Sequence, residues 1–176
     1  YYVDQGDAWF HGDGSCVCGT DDCPWHEFIE DCWFTEYLAD FELKDPAVIR
    51  QQAQDVAWWV ERFDLDGVRV DAVPMMPRSA TRELVWELSR RFEPGLSTST
   101  GEGSTGGAEL YIVGETFTGP GGWGTIQRYL GPYGLDGQFD FPVMWELRET
   151  LAWGGGSMAD LNEAMDISDE AWTGPG

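Results

Sequence analysis

Two carboxylates and an arginine have the types and spacing that nucleophilic and acid–base chemistry needs. Arg69 and Asp71 are two residues apart in the run Leu-Asp-Gly-Val-Arg-Val-Asp-Ala-Val at residues 65–73. Because alternate side chains of a strand share a face, a strand here places both on one face. The guanidinium then lowers the pKa of the Asp71 carboxyl. Asp71 is therefore expected to stay ionised, as a nucleophile must, although a purely structural salt bridge would use the same pair.

A second carboxylate, Glu115, ends the next apolar run, at residues 111–116. In barrels of parallel strands the carboxyl ends of the strands carry the catalytic residues. The apolar neighbours Val113 and Phe117 are expected to desolvate Glu115 and keep it protonated. One ionised and one protonated carboxyl group, about 5 Å apart, is the arrangement of retaining glycoside hydrolysis. The sequence thus predicts that Asp71 and Glu115 are the working pair of a carbohydrate-cleaving enzyme.

The elements that position these residues alternate along the chain. Asp45 is predicted to cap a helix that begins at Pro46 and runs to about Phe63. Strands are predicted at residues 68–72, 111–116 and 135–141, and further helices from Ser79 or Thr81 to Phe92 and at residues 125–130, 142–153 and 157–165. Strand-then-helix units predict parallel strands in an α/β sheet or barrel.

The composition and net charge of the chain limit the classes of molecule that it is expected to bind. The formal net charge is -22, from 32 acidic and 10 basic residues, which argues against nucleic acid. Such a charge suits a neutral substrate, a divalent cation or simple solubility. The chain has no run of about 18 apolar residues, so no membrane span is expected. The 10 Trp, 9 Phe and 6 Tyr include core residues, but flat aromatic faces also bind pyranose rings.

The four cysteines, Cys16, Cys18, Cys23 and Cys32, are close together in sequence. Their spacing lacks the paired Cys-x-x-Cys of a typical zinc site, so two disulfides are favoured, in any of three connectivities. We therefore predict a disulfide-stapled loop region at residues 1–36 and an oxidising, extracytoplasmic location. A calcium- or zinc-binding role of this region is an accessory alternative. Residues 94–108, rich in Gly, Ser and Thr, are predicted to be a flexible insertion.

Four segments in order resemble the alpha-amylase family, glycoside hydrolase family 13. Residues 67–72, Gly-Val-Arg-Val-Asp-Ala, match the family's nucleophile strand, and residues 114–117, Gly-Glu-Thr-Phe, match its acid/base strand. Residues 38–41, Leu-Ala-Asp-Phe, look like its short Leu-Pro-Asp-Leu segment, and residues 135–142 are similar to its sixth barrel strand. The resemblance covers roughly residues 33–151.

The resemblance implies a role for each matched residue. Asp71 would be the nucleophile that forms a covalent glycosyl intermediate, and Glu115 the general acid and then base. Arg69 would position Asp71 and keep it ionised, and Phe117 would line a sugar subsite. Asp40 matches a position that binds calcium in many family members, so calcium is the implied cofactor.

Three departures from the family pattern accompany this match. The third catalytic carboxylate, in an Asn-His-Asp type motif, is missing, and so is the third-strand Asp-x-x-x-Asn-His motif. Pro74 and Met75 stand where the family often has Lys-His, which puts the usual calcium arrangement in doubt. This difference removes a common subsite lysine, and Met75 is predicted, with Phe117, to contact substrate.

Residues 1–176 are therefore expected to form a partial catalytic domain, an α/β fold with about the fourth to sixth strands of a (β/α)8 TIM barrel. A whole barrel takes about 250 residues. The expected function is retaining hydrolysis of alpha-1,4-glucans or maltooligosaccharides by a secreted enzyme. The alternative is a catalytically inactive carbohydrate-binding relative that keeps the fold.

Overall fold

The structure, a computed structural model, describes residues 6–12, 14–92 and 110–173. The predicted insertion at residues 94–108 lies outside the described residues. The described residues form two compact units. One consists of the chain up to residue 66 together with residues 74–92 and Leu110, and the other of Gly67–Val73 and residues 111–173. Among the described residues, no helix combines the length and apolar character that crossing a membrane requires.

The first unit begins with an irregular region held by two disulfides. Cys16 pairs with Cys23 and Cys18 with Cys32, which selects one of the three connectivities that the sequence left open. Besides a 3-10 turn, the region contains one short helix, α1 (Trp25–Phe28). The prediction of two disulfides is confirmed.

The helix α2 (Pro46–Phe63) has the predicted start and end. The Asp45 carboxylate accepts a hydrogen bond of 2.7 Å from the Ala47 N–H, which satisfies one of the free donors of the first turn. Pro46 occupies the first turn, where its missing N–H costs nothing. The helix ends at Asp64, whose φ of 52° is in the left-handed region.

The helix α3 (Arg78–Phe92) packs against α2 and carries a buried acid that the apolar pattern did not predict. Glu87 is buried beside Leu88. Two arginines of the next turn neutralise it, with Arg90 at 2.7 Å and Arg91 at 2.5 Å. These pairs offset the cost of burying the charge, since an unpaired buried carboxylate is strongly unfavourable.

The second unit contains a sheet of three parallel strands, β1 (Gly67–Val70), β2 (Tyr111–Gly114) and β3 (Gly137–Gln138), in that spatial order. The parallel arrangement confirms the prediction from the alternating elements. Each strand is shorter than predicted, so Asp71 and Glu115 follow their strands rather than end them. One face of β1 is open, because the Arg69 side chain is 47% exposed.

Three helices complete the second unit. The helix α4 (Trp123–Gln127) begins two residues before the predicted start. The predicted helix at residues 142–153 is an α-helix, α5 (Phe141–Leu147), continued by a π-helical segment, Arg148–Trp153. The last helix, α6 (Met158–Thr173), has 16 residues and extends eight residues past the predicted end, and it packs on α5.

The N-terminus of α6 has a capping box in which two residues satisfy each other's backbone. Asp160 accepts from the Ser157 N–H at 2.8 Å, and the Ser157 hydroxyl accepts from the Asp160 N–H at 3.2 Å. A Ser followed three residues later by an acidic residue is a sequence signature of such a start, and the helix begins within one residue of the predicted residue 157.

Removing the α2 cap is expected to destabilise the first unit. Asp45→Ala deletes the acceptor of the Ala47 N–H and should lower the free energy of unfolding by about 1 kcal/mol. Chemical denaturation followed by circular dichroism measures the change. Glu61→Ala, an exposed acid later on the same helix, removes the same charge and is the control. Equal losses in the two variants would contradict the capping role.

Candidate active site

The register of β1 and β2 brings the two predicted carboxylates together. Val70 is the partner of Gly114, so Asp71 and Glu115 follow at the same level of the sheet. The pairing continues past the strands, because the Glu115 N–H donates to the Val70 carbonyl at 2.8 Å. Both side chains therefore leave the carboxyl edge of the sheet, where catalytic groups of parallel sheets lie.

The backbone turns sharply directly after Asp71. Ala72 has a φ of 46°, in the left-handed region that costs a non-glycine residue about 1 kcal/mol or more. This turn lets the Val73 N–H donate to the Glu115 carbonyl at 2.9 Å. The two carboxylate-bearing segments are thus tied by hydrogen bonds on both sides of Asp71.

Glycine at the end of β2 is required by packing. A Cβ at Gly114 would lie 2.4 Å from the Leu135 Cδ1 atom and 2.9 Å from the Gln138 amide nitrogen. Real Cβ atoms essentially never show contacts this short, so any larger residue would force the Leu135 and Gln138 side chains to move. The glycine before the predicted acid/base residue therefore leaves room for these two side chains beside β2.

Arg69 joins the two carboxylates. One guanidinium nitrogen, Nη2, is 3.1 Å from Oδ1 of Asp71 and 2.7 Å from Oε2 of Glu115. Asp71 is open, with 72% of its side chain exposed, whereas 27% of Glu115 is exposed. The sequence placed Arg69 beside Asp71, and the structure adds a second ion pair to Glu115.

The two carboxyl groups are hydrogen-bonded to each other, and this bond shifts their pKa values in opposite directions. It is the largest influence lowering the pKa of Asp71 below the ordinary 3.8, and Arg69 acts in the same direction. It is also the largest influence raising the pKa of Glu115 above the ordinary 4.5, where burial adds to it and Arg69 opposes it. Asp71 is therefore the member of the pair that loses its proton at lower pH, and Glu115 the member that keeps its proton to higher pH.

The directions of these shifts agree with the sequence expectation, but the causes differ. The sequence attributed the ionisation of Asp71 to Arg69 and the protonation of Glu115 to its apolar neighbours. In the structure, the direct contact between the two carboxyl groups outweighs both effects. That contact depends on the strand register, which the sequence does not encode locally.

Aromatic side chains adjoin the charged groups. The Arg69 guanidinium lies 5.7 Å from the centre of the Phe139 ring, and Phe139 contacts Phe141 at 6.2 Å. Phe141 contacts Phe117 at 4.9 Å, and Phe117 is 65% exposed. The sequence singled out Phe117 but missed Phe139 and Phe141. Their spacing of two residues directly after a strand, Phe-Asp-Phe, was the available signal.

Asp140, between these two phenylalanines, has a structural role. Its carboxylate caps α5 by accepting from the Val143 N–H at 3.0 Å. It also accepts from the Ser168 hydroxyl of α6 and from the Trp172 indole N–H, the latter at 3.3 Å. Asp140 therefore fixes the end of β3 to two helices.

Asp40 lies in the first unit, next to a buried histidine. Its Oδ2 atom is 3.8 Å from Nε2 of His11, and both atoms are buried without a hydrogen-bond partner among the described residues. Burial raises the pKa of the Asp40 carboxyl to about 6, although His11 lowers it. Asp31 and Glu42 face the other nitrogen of His11, at 3.8 Å and 3.0 Å.

This arrangement does not fit a calcium cage. Calcium takes six to eight oxygen ligands, about 2.4 Å from the ion. No group of three or more His, Cys, Asp or Glu side chains in the described part of the chain has metal-binding geometry. Asp40 faces an imidazole instead of other oxygen donors. The calcium assignment therefore stays a prediction that these residues alone do not support.

Met75 also lies in the first unit. It is half-buried and ends a 3-10 turn, Val73–Met75. Its substrate contact stays a prediction.

The chain is similar to known proteins in its structure and not detectably in its sequence. No protein-family model matches the chain, and no curated protein matches it significantly. An alpha-amylase from Geobacillus thermoleovorans, solved with acarbose, matches 98% of the chain with 20% identity and a TM-score of 0.73. CldA, a cyclomaltodextrin glucanotransferase, matches 99% with 20% identity and a TM-score of 0.74. A cyclic alpha-maltosyl-(1-->6)-maltose hydrolase from Arthrobacter globiformis, solved with maltose, matches 95% with 18% identity and a TM-score of 0.64.

The chain spans about a third of each of these structures: 34%, 31% and 32%. At such low identity the similarity shows the fold. The predicted resemblance to the alpha-amylase family is confirmed at that level, as an α/β arrangement with a small parallel sheet.

Removing the bridging arginine is expected to raise the pKa of both carboxyl groups. Arg69 lowers the pKa of Asp71 and of Glu115, so Arg69→Met should shift both titrations to higher pH. Carbon-13 NMR of the side-chain carboxyl groups measures each titration. Arg50→Met, which removes an exposed charge from α2, is the control. Unchanged titrations in Arg69→Met would show that the ion pairs are absent in solution.

Proposed function

We propose that this chain carries the nucleophile and the acid/base of a retaining glycoside hydrolase that acts on alpha-1,4-glucans or maltooligosaccharides. The observation that carries the proposal is the hydrogen-bonded pair of Asp71 and Glu115, whose pKa values shift in the opposite directions that the two roles need. The fold similarity to an alpha-amylase and a glucanotransferase supports the choice of substrate class.

In the proposed first step, ionised Asp71 attacks the anomeric carbon while protonated Glu115 gives its proton to the glycosidic oxygen. The bond to the leaving sugar breaks and a covalent glycosyl ester on Asp71 forms. The carboxyl groups of retaining enzymes are about 5–5.5 Å apart, wider than a hydrogen bond. The entering sugar therefore has to separate the pair, and the Glu115 proton then passes to the substrate rather than to Asp71.

In the second step Glu115 changes from acid to base, and Asp71 becomes the leaving group. Glu115, now a carboxylate, takes a proton from a water molecule, and the resulting hydroxide displaces the sugar from Asp71. Glu115 can stay ionised and act as a base at this stage because Asp71 is esterified and uncharged. The ester no longer raises the pKa of Glu115 as the Asp71 carboxylate does. Arg69 contacts both side chains and stabilises whichever of them is charged at each stage.

The proposal also assigns the three strands to positions in a complete barrel. Among the described residues, β1 and β3 each pair with one neighbour, β2. A (β/α)8 barrel has about 250 residues, and the chain spans about a third of the structures it matches. We infer that β1, β2 and β3 are the fourth to sixth strands of such a barrel, with the two carboxylates at its carboxyl end.

Secretion is part of the same proposal. The two disulfides persist in an oxidising compartment, and a polymeric substrate such as starch lies outside the cell. Phe117, exposed beside Glu115, offers a ring for a sugar bound next to the scissile bond.

Neutralising either carboxylate is expected to abolish most turnover. In the full-length protein, Asp71→Asn and Glu115→Gln should each reduce reducing-sugar release from maltooligosaccharides by about 10²-fold to 10⁴-fold. A maltosyl fluoride, whose leaving group departs without a proton, should restore the first step in Glu115→Gln, seen as a burst of fluoride and an accumulating glycosyl-enzyme because the base is missing, but not in Asp71→Asn. Asp64→Asn, a carboxylate at the end of α2, is the control.

If both variants keep full turnover, the catalytic assignment is wrong. A wild-type protein that binds maltooligosaccharides but never cleaves them would establish the alternative, an inactive carbohydrate-binding relative.

The dependence of kcat/KM on pH is expected to be bell-shaped and wide. Activity needs Asp71 ionised and Glu115 protonated. Since the pKa of Asp71 is below 3.8, the acid limb should lie below that pH, and since the pKa of Glu115 is above 4.5, the alkaline limb should lie above that pH. Initial rates on maltoheptaose across pH measure both limbs. An alkaline limb at or below pH 4.5 would contradict the assignment of Glu115 as the acid.

A further inference from the structure

The segment after α5 holds an arginine whose guanidinium lies over two tryptophan rings. The Arg148 guanidinium is 4.8 Å from the centre of the Trp145 ring and 4.6 Å from that of Trp153. We refer to these three side chains as the Trp145–Arg148–Trp153 stack. Trp153 is 58% exposed, so the stack has an open outer face.

The π-helical segment Arg148–Trp153 makes this stack geometrically possible. In an α-helix, residues five apart point about 140° away from each other. The wider π-helical turn, with its i→i+5 hydrogen bonds, brings such residues to the same side. Trp153 can therefore return beneath Arg148, while Trp145 reaches it from one α-helical turn before.

The stack is continuous with the proposed active site through ring contacts. Trp145 lies 6.0 Å from Phe117, and its indole N–H donates to the Thr118 carbonyl at 2.7 Å. That hydrogen bond fixes the Trp145 ring to the segment that follows Glu115. A row of side chains, Phe117, Trp145, Arg148 and Trp153, thus leads away from the catalytic pair.

The arginine of the stack retains unused donors. No carboxylate among the described residues is within ion-pair distance of Arg148, although the chain has 32 acidic residues. A guanidinium has five N–H donors, and stacking on rings leaves them in its plane. The stack therefore combines an apolar indole face with hydrogen-bond donors beside it.

This combination suits a neutral polyhydroxylated ligand. The apolar face of a pyranose ring packs on an indole, and its hydroxyl oxygens accept from the guanidinium. An anionic ligand would be repelled by a chain of net charge -22. Contacts with two indole rings also restrict the guanidinium, which lowers the entropy lost on binding.

We propose that the Trp145–Arg148–Trp153 stack is an accessory subsite for an alpha-glucan chain that extends beyond the catalytic pair. The identity of the ligand rests on the proposed function. The subsite would favour oligosaccharides long enough to occupy both the site at Asp71 and Glu115 and the stack.

The test compares a short and a long ligand with full-length protein, because only the long one reaches the stack. Calorimetry measures the binding of maltotriose and of maltoheptaose to the wild type, Trp153→Ala and Arg148→Met. Both variants should bind maltoheptaose about 2- to 10-fold more weakly and maltotriose as the wild type does. Trp153→Phe, which keeps a ring, should retain most of the affinity for maltoheptaose.

Trp58→Ala is the matched control, since Trp58 is a tryptophan of similar exposure on α2, 51% against 58% for Trp153. If maltoheptaose binds Trp153→Ala and Arg148→Met as tightly as it binds the control, the subsite proposal is overturned while the proposed function stands. If the wild type binds neither ligand, both proposals fail. Tighter binding of dextran sulfate than of maltoheptaose, lost in Arg148→Met, would overturn the neutral-ligand assignment. Arg148→Met and Trp153→Phe keep the test decisive if Trp153→Ala does not fold.

Discussion

The parallel pairing of β1 with β2 is the constraint on which the candidate site depends. It places Val70 beside Gly114, and the backbone hydrogen bonds from Glu115 and Val73 extend the pairing past the strand ends. This register places the carboxylates of Asp71 and Glu115 opposite each other. A shift of one residue in this register would turn Glu115 to the other face of the sheet and leave Asp71 with Arg69 alone.

Once the two carboxyl groups touch, electrostatics decides which one is charged. Two carboxylates in contact repel each other, so the pair loses its two protons at separate pH values. Arg69 lowers both pKa values and therefore does not choose between the partners. The hydrogen bond between the two groups, which is the largest influence on both, lowers the pKa of Asp71 and raises that of Glu115, while burial raises both.

The sequence predicted well those features that depend only on residues close together in the chain. The caps at Asp45 and Ser157 and the shared face of Arg69 and Asp71 follow from spacings of two or three residues. Strand ends were predicted poorly, because a strand lasts only as long as its partner pairs with it, and β3 is short. The length of α6 was missed because Ser168 is held by a carboxylate 28 residues earlier.

The contact between Ser168 of α6 and Asp140 links a helix far away in sequence to the candidate site. Asp140 is the single residue between Phe139, which packs against Arg69, and Phe141, which packs against Phe117. Its carboxylate is shared between the α5 N-terminus and Ser168 of α6. Without α6 the end of β3 would lose one of its anchors, and the rings on either side of Asp140 would be free to move. The positions of Arg69 and Phe117 therefore depend on a helix that contributes no catalytic group, and this dependence explains why the aromatic contacts could not be read from the motif itself.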